Sequence, residues 1–439
     1  MARRQNELSI WLNTEFVGTW RKKSGREELQ YSDEWLISEL GRPLSLSLPF
    51  VPGNQPHQGE SVQYYFDNLL PDSRDIRERL ATKFGAHSAS PFDLLVELGR
   101  DCMGAVQLLR PGEEPEGVDE INCHTLDESD IANLLRNTVA SNPLGHGGEV
   151  GELRFSLAGA QEKTALLWHD GNWCNPIGAT PTTHIFKLPL GLVGDMKADM
   201  HESIENEWLC SKIVSAFGLP TANSDIAQFE EQKVLVVERF DRRLSSDDSW
   251  IIRIPQEDMC QARGISPLMK YQADGGLGIT ECMRVLDGSS EAVADKQIFF
   301  MTQVIFWLLY ATDGHAKNFS IQHHSKDVYE LAPLYDILSV LPVIGKRSDQ
   351  ISQQKAKLAM AIRGSKNYYH IARIQRRHFV NQATQVGISA EEAEAMITQI
   401  LDALDNVIED VNAILPDDFP KTVSEKIFEG MREQAKKLA

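Results

Sequence analysis

The sequence lacks the patterns of a secreted protein, of a protein held together by disulfides or zinc, and of a membrane protein. Its six cysteines are far apart and include no C-x-x-C pair, which fits reduced thiols better than a disulfide framework or a zinc site. The N-terminus lacks the apolar core of a signal peptide. No apolar run reaches membrane-spanning length, since residues 304–311 are too few. We therefore expect a soluble cytoplasmic protein with no membrane contact.

Positive charge is scarce overall but concentrated in one segment. The chain has 44 basic and 63 acidic residues, a net charge of −19, which argues against nucleic-acid binding by the whole surface. Residues 346–377 carry +8, which leaves −27 for the rest. Such a segment suits one defined anionic partner, although charge runs usually mean a solvated face or pairing with acids elsewhere. Its basic residues are Lys346, Arg347, Lys355, Lys357, Arg363, Lys366, Arg373, Arg376 and Arg377.

Hydrophobic periodicity predicts strands mainly in the first 255 residues and helices mainly after them. The predicted strands are residues 8–12, 15–18, 43–49, 154–157, 164–168, 183–188 and 233–240. The predicted helices are residues 64–70, 91–98, 130–135, 201–217 and 299–312. Ser389 and Glu392 form a capping-box pattern, so another amphipathic helix should begin after Ser389.

The most informative stretch is D-x-x-x-x-N at residues 313–318. The predicted buried helix precedes it, a predicted hairpin follows, and Asp336 stands 18 residues after Asn318. In phosphoryl transfer the first Asp orients or deprotonates the attacking hydroxyl, and the Asn and the later Asp hold Mg²⁺. Asp313, Asn318 and Asp336 are the candidates, and Lys317 could approach the γ-phosphate. Alone the hexapeptide is weak, because an Asp-Gly turn with a nearby Asn is equally common.

A loop of small residues after a predicted strand is the candidate phosphate-binding loop. Small residues let backbone N–H groups approach phosphates closely. Gly159 is its single glycine, so the loop fits neither G-x-G-x-x-G nor Walker A, and by itself it could be a plain strand-to-strand turn. The loop residues assigned to ATP are Ala158, Gly159, Ala160, Gln161, Glu162 and Lys163.

Lys187 lies in an apolar predicted strand, where a charged side chain needs a partner. The phosphates of ATP would provide one, as would Glu205 or Glu207 of the next predicted helix, in the manner of the Lys–Glu pair of kinases. The alternative is an edge-strand lysine whose ammonium group reaches water.

The last predicted strand of this region ends at Glu238 and Phe240, where a hinge backbone could bind adenine, although a plain core strand has the same pattern. The candidates follow one another along the chain in the order of a kinase: phosphate loop, lysine strand, glutamate helix, hinge, catalytic loop and metal-binding Asp. Unrelated motif matches would not usually occur in that order.

These motifs favour an α+β, two-lobed, protein-kinase-like fold with a cleft between a small α/β lobe and a larger helical lobe. We predict an N-terminal α/β subdomain at residues 1–110, a linker at 111–150, an ATP-binding N-lobe at 151–255 and a helical C-lobe at 256–439.

The chain resembles the HipA family, bacterial serine/threonine kinases that act as toxins in type II toxin–antitoxin pairs. The resemblance covers nearly the whole chain. It rests on RPLSLSLP at 42–49, FDNLLPD at 66–72, PFDLL at 91–95, SLAGAQEKT at 156–164, VERFDRR at 237–243, PQEDMCQ at 255–261, DGHAKN at 313–318 and YD at 335–336.

The resemblance implies roles for individual residues. Asp313 would be the catalytic aspartate and Lys187 would contact the phosphates of ATP. Ser156 matches a serine that the family autophosphorylates, and a phosphate there would repel ATP and switch the kinase off. The other implied site residues are the magnesium ligands Asn318 and Asp336 and the adenine-binding Glu238 and Phe240. His315 and Lys317 are assigned to ATP from their place in the D-x-x-x-x-N loop.

The resemblance also implies partners. A dimeric helix-turn-helix antitoxin of the HipB type would bind the protein and repress the operon with it, and Lys366, Arg373 and Arg377 could then face the DNA backbone. The expected substrate is a translation component, glutamyl-tRNA synthetase, whose phosphorylation halts growth and promotes persistence. Two alternatives remain open: a small-molecule phosphotransferase, which His315 and the acidic surface support, and a non-catalytic co-repressor subunit.

Overall fold

The computed structural model of this chain describes residues 5–23, 25–139, 157–193 and 197–439. Its N-terminal part contains the strands β1 Glu7–Leu12, β2 Glu15–Lys23, β3 Arg26–Tyr31, β4 His57–Gln58 and β5 Val106–Leu109. They form one antiparallel sheet in the order β4-β3-β2-β1-β5. The turn from β1 to β2 passes through Asn13, whose φ is 54°. The strands predicted at residues 8–12 and 15–18 are therefore confirmed.

Helices pack against this sheet and close a separate N-terminal core. The helices are α1 Asp33–Ile37, α2 Glu60–Asp67, α3 Arg74–Phe84 and α4 Pro91–Leu98. Trp20 of β2 stacks on Phe66 of α2 with ring centroids 3.8 Å apart, and both side chains are fully buried. The bounds of α4 confirm the prediction, whereas α2 begins four residues before the predicted helix and ends before Leu70.

The strand predicted at residues 43–49 is wrong. The segment is irregular and bonds to distant residues instead of a neighbouring strand. The Ser45 and Ser47 hydroxyls both donate to the Gln261 carbonyl, at 3.1 and 2.7 Å, and the Leu46 N–H donates to Glu257 Oε1 at 2.9 Å. The alternating pattern therefore serves to attach the N-terminal part to the rest of the molecule.

The middle of the chain contains a second, six-stranded sheet. Its region holds β6 Cys123–Thr125, β7 Lys163–His169, β8 Asn172–Pro176, β9 His184–Lys187, β10 Gly191–Val193, β11 Ala198–Met200, β12 Ser224–Phe229, β13 Gln232–Glu238, β14 Arg242–Leu244 and β15 Ile251–Arg253. The sheet order is β12-β13-β9-β7-β8-β6, while β10-β11 and β14-β15 form separate hairpins. The predicted strands at β7, β9 and β13 are confirmed.

Two helices cover this sheet, α5 Glu128–Val139 and α6 Ser203–Ala216. Residues 111–150, predicted as a linker with one short helix, supply both β6 and α5, and buried Leu135 of α5 shares a small core with Phe186 of β9. Residues 140–150, and most of the strand predicted at 154–157, lie outside the described residues. The bounds of α6 confirm the helix predicted there.

A buried charge cluster ties the N-terminal part to the six-stranded sheet. Asp101 accepts hydrogen bonds from the Thr182 N–H at 3.0 Å and from Arg242 at 2.8 Å. Asp241 pairs with Arg239 at 2.8 Å and accepts from the Gly104 N–H at 2.6 Å. Because buried charges need partners, the two parts fix one another's position here.

The rest of the chain is mostly helical, as predicted. Its strands are β16 Gln256–Asp258, β17 Ser320–His323, β18 Tyr329–Leu331, β19 Lys357–Arg363 and β20 Asn367–His370. Its helices are α7 Met259–Ala262, α8 Ile279–Leu286, α9 Ala292–Leu309, α10 Arg376–Gln385, α11 Ala390–Ala413 and α12 Lys421–Leu438. Ser389 and Glu392 form the predicted capping box at the start of α11.

Helix α9 is the central helix of this part and leads directly to the D-x-x-x-x-N loop. By length and composition it is apolar enough to cross a membrane, but 67 % of it is buried inside the fold, as in a core helix. It ends at Tyr310, whose φ of 51° turns the chain into the loop. The predicted hairpin after the loop is β17 and β18.

Candidate active site

A cleft between the six-stranded sheet and the helical part collects most of the residues assigned from sequence, and N-terminal residues also line it. Glu162 is not among the lining residues, since its carboxylate pairs with Arg79 of α3. Ser156 lies outside the described residues. The assigned residues that line the cleft are Ala158, Gly159, Ala160, Gln161, Lys163, Lys187, Glu238, Phe240, Asp313, His315, Lys317, Asn318 and Asp336.

Lys187 joins the two sides of this cleft. It ends β9, and its Nζ donates to Glu207 Oε1 of α6 at 2.5 Å and to Asp336 Oδ1 at 2.6 Å. Its side chain is only 8 % exposed, so the alternative of a lysine reaching water does not hold. Burial alone would lower the pKa of Lys187, but Asp336 and Glu207 outweigh it and raise that pKa. Lys187 is therefore a permanent cation inside the cleft.

The structure also decides between the two candidate glutamates. Glu207 is the partner of Lys187, whereas Glu205 points to Lys233 of β13 and pairs with it at 2.7 Å. Residues two apart on a helix lie on opposite faces, so only one of them can face β9. Burial raises the pKa of Glu207, although Lys187 opposes that effect.

The phosphate-loop candidate runs from Leu157 into β7 and carries a second lysine. Lys163 lies opposite Lys187 in the pairing of β7 with β9, and its Nζ donates to the Ala158 carbonyl at 2.5 Å. Gly159 has a φ of 106°, a backbone conformation that residues with a side chain rarely adopt, so glycine is favoured at this point of the loop. Burial, with the charge of Lys187, lowers the pKa of Lys163 to about 8.

The catalytic-loop candidate packs tightly on α9. A Cβ on Gly314 would lie 2.5 Å from the Phe306 ring, so the residue after Asp313 has to be glycine for packing and not because of a positive φ. Asn318 Nδ2 donates to the Asp313 carbonyl at 2.8 Å and closes the loop on itself. The Tyr335 hydroxyl donates to the Lys317 carbonyl at 2.9 Å and fixes its far side.

Asp313 stands at the open edge of the cleft. Its side chain is 54 % exposed, and His315 Nε2 lies 3.9 Å from its Oδ1. The Tyr271 hydroxyl donates a hydrogen bond to the same carboxylate oxygen. Burial, and then Asp313, raise the pKa of Tyr271 well above its usual value, so this hydroxyl keeps its proton. A carboxylate that already accepts a hydroxyl hydrogen bond has the geometry needed to orient an acceptor alcohol.

His315 is the buried neighbour of Asp313. Burial lowers its pKa, so the ring is neutral near pH 7. Among the described residues its Nδ1 has no hydrogen-bond partner although it is buried. Such a group costs free energy unless a ligand or water satisfies it.

Asp336 and Asn318 supply the oxygen atoms of a candidate cation site. Asp336 has a φ of 59°, in the left-handed region that Asp tolerates better than most residues with a side chain. Burial would raise its pKa, but Lys187 and Lys163 hold that pKa well below its usual value. The described residues contain no group of three His, Cys, Asp or Glu side chains that could hold a metal alone. A cation here would need phosphate and water oxygens as well, which is how Mg²⁺ is usually bound.

The predicted hinge follows β13. Glu238 is exposed and accepts from Asn223 Nδ2 at 2.9 Å, while the Phe240 carbonyl accepts from Gln322 Nε2 at 3.1 Å. The Phe240 ring lies 5.8 Å from the Tyr335 ring, between centroids. Val237 and Ile185 add apolar surface to this end of the cleft, which suits a flat heteroaromatic group.

Four residues that lie in or beside the cleft had no role predicted from the sequence: Asp72, Lys270, Tyr271 and Tyr335. Asp72 and Tyr335 stand within motifs that carry the family resemblance, which was the available signal. Lys270 and Tyr271 belong to a segment of short turns after α7, and nothing in their spacing connects them to Asp313.

The residues predicted to face DNA lie outside the cleft. Lys366 is in the turn of the β19–β20 hairpin, Arg373 ends the turn before α10, and Arg377 is in the first turn of α10. All three are exposed, and no acid among the described residues pairs with them. Arg376, in contrast, pairs with Glu394 at 2.6 Å.

Comparison with known proteins agrees with this architecture. The family described as the HipA N-terminal domain matches residues 8–109, and the family described as the HipA-like C-terminal domain matches residues 155–408. "Putative kinase Y4mE" of Sinorhizobium fredii is 35% identical over 341 residues, which cover 76% of this chain and 77% of that protein. The serine/threonine-protein kinase toxin HipA of Shewanella oneidensis is 26% identical over 357 residues, 76% of this chain and 73% of that protein.

A solved structure of the toxin–antitoxin complex of HipA, HipB and operator DNA from Shewanella oneidensis contains a chain of the same fold. The TM-score is 0.79 at 23% identity, covering 98% of this chain and 97% of that one. The predicted α+β, kinase-like fold class is thereby confirmed. With both family domains matched in order, this chain belongs to the HipA family.

Proposed function

We propose that this protein is an ATP- and Mg²⁺-dependent serine/threonine kinase that acts as the toxin of a HipA-type toxin–antitoxin pair. The observation that carries the proposal is the ion triad in the cleft, in which Lys187 bonds to both Glu207 and Asp336. Kinases need this lysine–glutamate pair and the metal-binding aspartate in place together. Asp313 opens onto the same cleft.

The cleft fits a nucleoside triphosphate with its metal. Two lysines, Lys163 and Lys187, lie side by side where an anion would offset their repulsion. The orphaned Nδ1 of His315 offers one more polar contact. Asn318 and Asp336 would hold the magnesium ion, and Glu238 and Phe240 would border adenine. Bound ATP supplies the transferable γ-phosphoryl group and the metal neutralises its charge.

Asp313 would orient the acceptor hydroxyl. Its half-exposed position lets a protein segment reach it from solvent, and its carboxylate already accepts a hydrogen bond from the Tyr271 hydroxyl. An acceptor serine would replace Tyr271 as the donor. Lys317, a buried residue four positions after Asp313, would contact the phosphate being transferred.

The partners belong to the same proposal. The relative of known structure is in complex with HipB and operator DNA, so we propose a HipB-type antitoxin dimer as partner and operator repression by the complex in the cytoplasm. The exposed Lys366, Arg373 and Arg377 would lie towards the phosphate backbone. The proposed substrate is glutamyl-tRNA synthetase, and phosphorylation of Ser156 would inactivate the kinase by charge repulsion in the phosphate loop.

The test is transfer of radiolabel from γ-labelled ATP with Mg²⁺. We expect label on purified glutamyl-tRNA synthetase and not on small hydroxyl compounds, with less transfer when the antitoxin is added. Label on small alcohols alone would favour a phosphotransferase, and no transfer to any acceptor would favour a non-catalytic subunit. The Ser156→Ala protein should lose self-labelling, and label found by mass spectrometry at another residue would exclude Ser156.

A further inference from the structure

The N-terminal part places one carboxylate inside the cleft. Asp72 follows α2 by a short turn, and its N–H donates to the Gly159 carbonyl of the phosphate-loop candidate at 3.0 Å. Pro71 and Gly159 form an isolated parallel bridge at the same point. The backbone of the N-terminal part is therefore bonded directly to the loop that would carry ATP phosphates.

The Asp72 side chain holds two lysines at once. Its Oδ1 lies 2.8 Å from Lys317 Nζ and its Oδ2 lies 2.7 Å from Lys270 Nζ. All three side chains are largely buried. Burial alone would raise the pKa of Asp72, but the two ammonium groups outweigh it and hold that pKa well below its usual value. Asp72 is thus an ionised carboxylate that bridges two cations.

Lys317 lies within the D-x-x-x-x-N loop, so this bridge reaches the predicted catalytic loop. An ammonium group has three N–H donors. Lys317 uses one on Asp72 and one, at 3.3 Å, on the Asn68 carbonyl, and both acceptors come from the N-terminal part. Among the described residues Lys317 has these two acceptors, which leaves one donor for an anion in the cleft.

We propose that Asp72 is a positioning residue for phosphoryl transfer, which holds Lys317 so that its remaining donor meets the transferred phosphate. Through Asp72, the N-terminal part thereby supplies a residue that the active site needs. This inference rests on the proposed kinase function, because the phosphate that Lys317 would meet is that of ATP. Lys270, bound to the other oxygen, keeps the Asp72 carboxylate from rotating.

The chain offers a matched control for a purely structural salt bridge. Asp67 ends α2, five residues before Asp72, and pairs with Arg77 at 2.6 Å. Its side chain is about as buried as that of Asp72, 14 % against 12 % exposed. Asp67 does not line the cleft. The substitutions Asp72→Asn and Asp67→Asn therefore each neutralise a carboxylate of similar burial, which pairs with two lysines inside the cleft in the first case and with one arginine outside it in the second.

We expect Asp72→Asn to lower kcat about 10- to 100-fold, because a misplaced contact in the transition state costs rate, with little change in the KM for ATP. Asp67→Asn should retain kcat. In a Lys317→Met background Asp72→Asn should have almost no further effect, since residues that act as a unit are non-additive. If Asp72→Asn does not fold, Asp72→Glu keeps the charge, displaces it by one methylene, and should still lower kcat.

A second measurement does not depend on activity. Acetylation of lysines by an amine-reactive ester, read by mass spectrometry, should label Lys317 and Lys270 several-fold faster in Asp72→Asn than in the wild type or in Asp67→Asn. Wild-type kcat in Asp72→Asn, additive effects of Asp72→Asn and Lys317→Met, or unchanged labelling of Lys317 would each overturn the positioning role. An inactive wild type would instead refute the proposed function, and the labelling would still decide whether Asp72 holds Lys317.

Discussion

The two ends of the cleft differ in how their charges are satisfied. At the inner end, Lys187, Glu207 and Asp336 form a triad with hydrogen bonds of 2.5 and 2.6 Å, and the lysine is almost fully buried. At the outer edge, Asp313 is half-exposed and its carboxylate bonds to Tyr271. The charges at the inner end are paired with one another, whereas the outer end offers a group that a large partner can reach.

The inner end therefore serves nucleotide binding, and the outer end serves the chemical step. Preorganised charges at the inner end can fix a triphosphate without reorganisation, which is the main source of catalytic stabilisation in phosphoryl transfer. The exposed carboxylate at the outer end should contribute less to folding, because solvent screens its contacts with Tyr271 and His315. Substitutions at the inner end should therefore change both stability and activity, and substitutions at the outer end should change activity alone.

The largest combined loss of stability and activity is expected from Lys187→Met. The change leaves Glu207 and Asp336 next to one another without their cation, and breaking a buried ion pair from one side typically costs about 3–5 kcal/mol. Denaturant unfolding should show that loss of stability, and phosphate transfer should be abolished. Lys233→Met is the matched control, since Lys233 pairs with Glu205 of the same helix at 2.7 Å but is 44 % exposed. A similar loss in both variants would contradict the contrast between the two ends.

Nucleotide binding should weaken as the pH rises through about 8. Lys163, whose pKa burial lowers to about 8, is charged below that value and neutral above it. A charge-assisted hydrogen bond contributes roughly 1.5–3 kcal/mol, so the affinity for ATP should fall about tenfold between pH 7 and pH 9. Lys163→Arg should flatten the profile, because arginine stays charged throughout this range.

Asp258 is another residue of the cleft whose charge can change in this pH range. Burial raises the pKa of Asp258 to about 7, and its ionisation would also disfavour a triphosphate in the cleft. Titration calorimetry across the pH range separates the two groups. A decline centred near 7 that persists in Lys163→Arg would assign the effect to Asp258 and contradict the role given to Lys163.

The smallest effect is expected away from the cleft. Arg373→Glu should leave phosphate transfer unchanged and weaken retention of the toxin–antitoxin complex on operator DNA, with a shallower dependence of log affinity on log salt. Arg432→Glu is the control, because Arg432 is exposed on α12 and pairs with Asp405 at 2.8 Å. An unchanged salt slope for Arg373→Glu would remove this residue from the proposed DNA face.

The helices and strands that carry the site could be predicted from local sequence patterns. The contacts between them were predicted less well. The strand of Lys187, the buried α9 and the hairpin after the D-x-x-x-x-N loop follow from periodicity, which is a property of neighbouring residues. The choice of Glu207 over Glu205 does not, because α6 is buried on nearly all sides from Ser203 to Cys210 and periodicity cannot orient it.

Long-range hydrogen bonds account for what the sequence could not predict. Residues 43–49 alternate like a strand but bond to Gln261 and Glu257, more than 200 residues away. Asp72 bonds to Lys317, which is 245 residues away in the sequence, and Tyr271 bonds to Asp313, which is 42 residues away. Such pairs have no signature in the spacing of either partner, so only the three-dimensional arrangement reveals them.

The most direct test of the account is phosphate transfer by the Asp313→Asn protein. This variant should keep the wild-type unfolding midpoint and bind ATP with Mg²⁺, because Asp313 is half-exposed and apart from the Lys187 triad, yet it should transfer no phosphate. Undiminished ATP consumption and protein labelling by purified, folded Asp313→Asn protein would contradict the assignment of the catalytic residue and with it the proposed mechanism.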